Sequence, residues 1–267
     1  MKLGCIPLNF GAQIRRDKTM TNEDWFKMAV ELGLDASEVY EPFIKDLDEA
    51  GKVKLAGVMR GLGLLASSYT IECDFSRPER RPQATAYVHR AVDNALLFGA
   101  NIVRVVAAAA TDPADREWVL SSPREQIIKS CADGLRGCLD YAEKKKVMLA
   151  LEDHWLIGTN VPDFMRILEL VNDDRLKVNL DMANVPRENT VQLAKLVGRR
   201  VVHTHVSELL EGKHGIVIGK GDVDFKGVFK VLKKVGYNSW ISLEALVGDK
   251  EDLRFSVNYI RDLWNRT

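Results

Sequence analysis

Short apolar, β-branched runs alternate with longer amphipathic stretches along the whole chain. The runs predict strands over 2–8, 36–40, 62–69, 102–107, 147–152, 177–181, 201–205 and 240–244. Apolar residues at three- and four-residue spacing predict helices over 22–32, 83–97, 125–145, 161–171, 191–197, 225–235 and 251–264. The segment 47–62 supplies one more, with Gly61 or Gly63 as its stop. Strict alternation implies a parallel sheet covered by helices, and eight units close a (β/α)8 TIM barrel. A doubly wound open sheet is the runner-up. It would carry a Gly-rich phosphate turn after its first strand, and no G-x-G-x-x-G is present. Nothing marks a linker, so 1–267 is expected to form a single TIM-barrel domain. The segments 73–82 and 111–124 read as long loops after the third and fourth strands, where a barrel builds the wall of its active site.

Length and charge narrow the reading further. A chain of 267 residues suits one barrel, which takes roughly 250. Lys plus Arg and Asp plus Glu both number 38, so there is no cationic excess to release counterions from a nucleic acid. No apolar run approaches the roughly 18 residues of a membrane helix, and the first residues lack a secretory pattern. A cytoplasmic enzyme is expected. Cys5, Cys73, Cys131 and Cys138 show no C-x-x-C spacing and are expected to be reduced thiols.

The informative residues stand where the last four strands end. Strand five runs into Glu152-Asp153-His154, strand six into Asp181, strand seven into His205 and strand eight into Glu244. Singly, each would read as a helix cap, a solvated loop residue or a hydrogen-bonded structural histidine. Together they converge, because a barrel gathers its strand tips around one axis. Three crowded carboxylates repel one another unless a cation neutralises them. Glu152, Asp181, His205 and Glu244 form a mixed oxygen and nitrogen set suited to one divalent ion, Mn²⁺ first, with Mg²⁺, Co²⁺ or Zn²⁺ also suited.

This order of Glu, Asp, H-x-H and Glu resembles the sugar isomerase/epimerase group of the xylose isomerase-like TIM barrels. The tract Gly219-Lys220-Gly221-Asp222-Val223-Asp224-Phe225 is similar to that group's G-x-G-x-(I/V)-D turn, and Leu151-Glu152-Asp153-His154 is similar to its L-E-N-H. Asp224 also reads as the cap of the next helix.

The resemblance implies a metal-dependent ketose or aldose isomerase or epimerase. The ion would polarise a hydroxy-carbonyl, while Glu152 and Glu244 move a proton through an enediolate. His154 is implied as a substrate hydrogen-bond donor. Glu38, ending strand two, is a further candidate substrate contact; its position also suits an inward barrel residue or a partner for Arg104. His203 is expected to point away from His205 by strand alternation and to reach substrate only at the curled strand end. A homo-oligomer is implied too, and the lack of an evident phosphate cradle points to an unphosphorylated sugar.

Two positions depart from the group's pattern. Asn184 stands where several epimerases carry a substrate-binding His, and His205-Val206-Ser207-Glu208 stands where many members read H-x-K-D. Asn184 is kept as a candidate substrate contact. The alternative function is a sugar lyase of the inosose dehydratase type, which uses the same proton abstraction but expels a hydroxyl. A nuclease of the endonuclease IV type would need more ligands than His89, His154, His203, His205 and His214 can supply. A non-catalytic sugar-binding barrel is disfavoured by the full ligand set.

Overall fold

The computed structural model describes residues 1–267. Its eight strands are β1 Lys2–Ile6, β2 Ala36–Tyr40, β3 Leu65–Thr70, β4 Ile102–Val105, β5 Met148–Glu152, β6 Leu176–Asp181, β7 Val201–Val206 and β8 Trp240–Glu244. All pair in parallel, in the order β1-β8-β7-β6-β5-β4-β3-β2. Asp35 spans the remaining join between β1 and β2. Its N–H donates to the Leu3 carbonyl at 2.9 Å, and its carboxylate accepts from the Leu3 N–H at 2.8 Å. The result is the TIM barrel that the alternation predicts.

The helices are α1 Asn22–Glu31, α2 Glu41–Ile44, α3 Glu49–Gly61, α4 Arg81–Phe98, α5 Pro113–Ser121, α6 Arg124–Lys144, α7 Trp155–Gly158, α8 Val161–Val171, α9 Arg187–Val197, α10 Phe225–Lys234 and α11 Lys250–Arg266. Eight of them, α1, α3, α4, α6, α8, α9, α10 and α11, are the expected outer ring. The other three are extra and follow the ends of β2, β4 and β5. The reading of 111–124 as loop is therefore corrected. Asp112 accepts from the Ala114 N–H at 2.8 Å and Pro113 opens the helix, so α5 has a cap and a preset first turn. Gly63, at φ +72°, lies just past α3 and is the stop that the sequence offered. No helix is long and apolar enough to cross a membrane.

Two irregularities of register position the site. Between Val178↔Val201 and Asn179↔His203, β7 advances two residues while β6 advances one. Such a bulge resets which side chains face the barrel axis. Beyond it Asn179 sits beside His203 and Asp181 beside His205. On the other side, β3 gains a residue against β2 between Ser37 and Val39, around Glu38. Below these polar layers, Ala36, Ile102, Ala150 and Trp240 form a small apolar cluster at the barrel floor. The interior thus opens only toward the C-terminal ends of the strands.

Candidate metal centre

The structure brings Glu152, Asp181, His205 and Glu244 together, with one ligand atom of each within 4.8 Å of the others. Four short parallel strands deliver them to one rim, and each lies in its strand's last residues. His205 is at the centre. Its Nδ1 lies 2.6 Å from Glu152 Oε1 and 3.1 Å from Glu244 Oε2, and its Nε2 lies 3.0 Å from Glu38 Oε1. Asp181 is braced from the chain itself: Oδ1 accepts from the N–H groups of Ala183 and Asn184 at 2.7 and 2.8 Å, and both its oxygens face the Ser207 hydroxyl. Glu152, Asp181 and His205 are fully buried, while the Glu244 side chain keeps 12% of its surface.

Burial and neighbouring charges shift the ionisable groups of the cluster in different directions. Burial raises Asp181 well above the ordinary carboxylate value, and the charges of Glu244 and Glu152 push it further. Burial would raise Glu152 as well, but Arg104, His205 and His154 outweigh it and hold the carboxyl low. His205 moves well above its ordinary value because Glu38 and Glu152 override the opposing effect of burial. Burial and mutual repulsion thus work against holding all three carboxyls ionised together, a crowding that a cation relieves. A divalent cation fits this donor set. Ligand atoms about 2.0–2.2 Å from a common ion lie within roughly 4.4 Å of one another, and here one ligand atom of each residue lies within 4.8 Å of the others, His205 Nδ1 being 2.6 and 3.1 Å from Glu152 and Glu244. Oxygen donors with one imidazole suit hard to borderline ions.

The remaining candidates take different places. His154 is at the mouth, 21% exposed, with Nδ1 3.3 Å from Glu152 Oε2 and 3.2 Å from the Arg104 guanidinium. Asn184 is half-buried, has an unpartnered Nδ2, and lines a cavity of about 670 Å³ that includes Ala183 and His214 but none of the four cluster residues and not His154. Glu38 lies deeper, 2% exposed. It is an inward barrel residue beneath His205, accepting from Ser68 and Thr70 at 2.9 and 2.6 Å and from Ser242. It is also not the partner of Arg104. The expected orientation of His203 is corrected too. Residues two apart on a strand share a face, so both histidines point inward, with ring centroids 5.5 Å apart. His203 is fully buried, with Nδ1 2.7 Å from Asn179 Oδ1 and an unpartnered Nε2.

Several residues that shape the site were not singled out as part of it. Arg104, 3% exposed, pairs with Glu152 Oε2 at 2.6 Å and Glu72 Oε1 at 3.0 Å, and donates to the Ile71 carbonyl. A charge within Ile-Val-Arg-Val was the available signal. Trp155 is held at φ +58°, a backbone region that strains a bulky residue, while its indole N–H donates to Glu72. Glu208, in the variant H-x-x-E, organises the Gly-rich tract. Its carboxylate accepts from the N–H groups of Leu209, Gly219 and Val223 at 2.9–3.2 Å. Asp224 caps α10 by accepting from the Gly227 N–H at 2.8 Å, as expected. His214, on the same β7–α10 connection, lines the cavity with Asn184; no local pattern pointed to it.

Known proteins agree with this architecture. The D-psicose 3-epimerase of Clostridium cellulolyticum H10, crystallised with D-tagatose, superposes with a TM-score of 0.80 at 16% identity, covering 100% of this chain and 99% of that one. The IOLI protein with a bound zinc atom superposes with a TM-score of 0.78 at 17% identity, covering 100% and 99%. Among curated proteins, the inosose dehydratase of Clostridium perfringens (strain 13 / Type A) is 23% identical over 277 aligned positions, 92% of this chain and 90% of that protein. The family model described as xylose isomerase-like TIM barrel matches residues 26–263, and the chain belongs to that family.

Proposed function

We propose that the whole chain, 1–267, acts as one barrel domain that isomerises or epimerises an unphosphorylated ketose or aldose with a divalent cation, Mn²⁺ first. The observation that carries this is the convergence of Glu152, Asp181, His205 and Glu244 within 4.8 Å at the barrel's open rim. A cation held there would polarise a substrate carbonyl and acidify the neighbouring C–H. Glu152 and Glu244 take that proton and return it. The two carboxylates are unequal. Glu152 Oε2 is tied to Arg104, whereas Glu244 forms an ion pair with His205 alone and keeps an exposed edge. Glu244 is thus the freer base, and Glu152 the more firmly oriented. Asn184 and His154 line the approach and contact substrate hydroxyls.

The test is deuterium uptake at the carbon beside the carbonyl, with D-tagatose, D-psicose and D-fructose incubated in D₂O with Mn²⁺-reconstituted protein. Exchange should appear and fall about 10²–10⁴-fold in Glu152→Gln and Glu244→Gln, the range for a lost acid–base group. Exchange that survives Glu152→Gln intact contradicts its proton-transfer role. Similarity to an inosose dehydratase along 92% of the chain favours a second reading, loss of a hydroxyl as water. Inosose is the substrate that separates them: a growing enone absorbance marks elimination.

A further inference from the structure

We infer that Glu38 is a positioning residue that holds Nε2 of His205 and so selects Nδ1 as the nitrogen presented to the cation. This rests on the metal reading above.

Two groups of possible ligands share His205: the cluster at the rim, and Glu38 with His203 below it. The lower group looks like a second ion site until the lone pairs of Glu38 are counted. A carboxylate offers about four acceptor positions. Ser68, Thr70 and Ser242 donate hydroxyls to it, and His205 Nε2 lies 3.0–3.1 Å from both its oxygens. All four positions are taken. Glu38 is 2% exposed and closed in from above by His205, so neither an ion nor a substrate hydroxyl finds an acceptor there. His203 stands further off, its Nε2 3.9 Å from Glu38 Oε1.

A fully engaged carboxylate fixes its imidazole partner. With Nε2–H directed at Glu38, the ring cannot turn, and its only free lone pair is on Nδ1. That atom faces Glu152 and Glu244, where the other ligands gather. Metal-bound histidines generally donate their second N–H to such a partner, and its loss costs about 10–100-fold in affinity. The bulge between β2 and β3 matters for the same reason. Ser68 and Thr70 both reach Glu38 Oε2 from β3, fixing the carboxylate that fixes the ring.

The test uses full-length protein, stripped with chelator, reloaded with Zn²⁺ as a diamagnetic probe, and labelled with ¹⁵N in its histidine rings. Long-range ¹H–¹⁵N correlation should show His205 with its proton on Nε2 and its metal on Nδ1, at one Zn²⁺ per chain. Glu38→Ala should weaken Zn²⁺ binding about 10–100-fold. Glu38→Gln, whose carbonyl still accepts Nε2–H, should recover most of that affinity, which a purely structural role would not produce. Circular dichroism of each variant establishes that the barrel has formed. Zn²⁺ held through Nε2, unchanged affinity in Glu38→Ala, or a second Zn²⁺ abolished by His203→Gln would each overturn the inference while leaving the rim site standing. A wild-type protein that takes up no Zn²⁺ sinks the metal reading itself, and this inference with it.

Discussion

Replacing Arg104 with Met removes the cation that Glu152 leans on while keeping an apolar stem of similar length. The guanidinium is 3% exposed and Glu152 fully buried, so their 2.6 Å pair is shielded from solvent. Breaking a buried pair from one side leaves Glu152 with only its His205 and His154 contacts and costs about 3–5 kcal/mol. Glu72, 17% exposed, recovers water contact and adds little. For a chain of this size each kcal/mol shifts the melting temperature by roughly 2–4 °C, which puts the expected drop at about 6–20 °C. The assay is thermal unfolding followed by circular dichroism at neutral pH with chelator present. A bound divalent cation should shrink the difference by supplying the missing charge. Acidification should shrink it too. In the wild type Arg104 keeps Glu152 low; without it, burial raises the carboxyl, which can then be neutralised by a proton. A variant that melts within about 2 °C of wild type in chelator would refute the reasoning.

Gly221→Ala should be disproportionately harmful. A Cβ there collides with the Leu209 carbonyl and the Glu208 side chain, and backbone cannot yield cheaply. Overpacking of this kind costs about 1–3 kcal/mol, readable in a urea titration, and should weaken substrate binding through the β7–α10 connection. The Glu38 carboxyl gives a pH signature. Burial pushes it up, but His205 and His203 outweigh that and hold it well below its ordinary value of 4.5. A lowered carboxyl stabilises the fold fully above that value and loses its contribution as pH falls through the folded value. Urea unfolding between about pH 6 and pH 3 should therefore show an acid-side loss that is shallower in Glu38→Gln; an unchanged slope contradicts the assignment.

Most of the barrel was legible because its strands are buried on both faces and read as continuous apolar runs. The predicted 36–40 and 240–244 coincide with β2 and β8. The rim cluster was legible for the converse reason. Glu152, Asp181, His205 and Glu244 interrupt or end those runs with groups that have no place in an apolar core.

What escaped depended on register. The bulge that aligns Asn179 with His203 and Asp181 with His205 is a relation between strands, and one strand's pattern does not carry it. The role of Glu38 likewise depends on hydroxyls from β3 and β8, far away in sequence. α5 was missed because two prolines and several charged residues imitate a loop, although Asp112-Pro113 is a sound helix start. The misplacement of His203 was an error of phase, since alternation puts positions 203 and 205 on one face.

The most direct measurement is a calorimetric titration of chelator-stripped protein with Mn²⁺ and Zn²⁺. The account predicts one ion per chain, with proton release as His205 and the buried carboxyls give up protons to bind it. Asp181→Asn and His205→Gln should abolish or severely weaken binding. At a free ion concentration a hundred times Kd, unfolding should become harder by about 2.7 kcal/mol. No uptake of either ion by correctly folded wild-type protein would contradict the central claim, as would undiminished uptake in both variants.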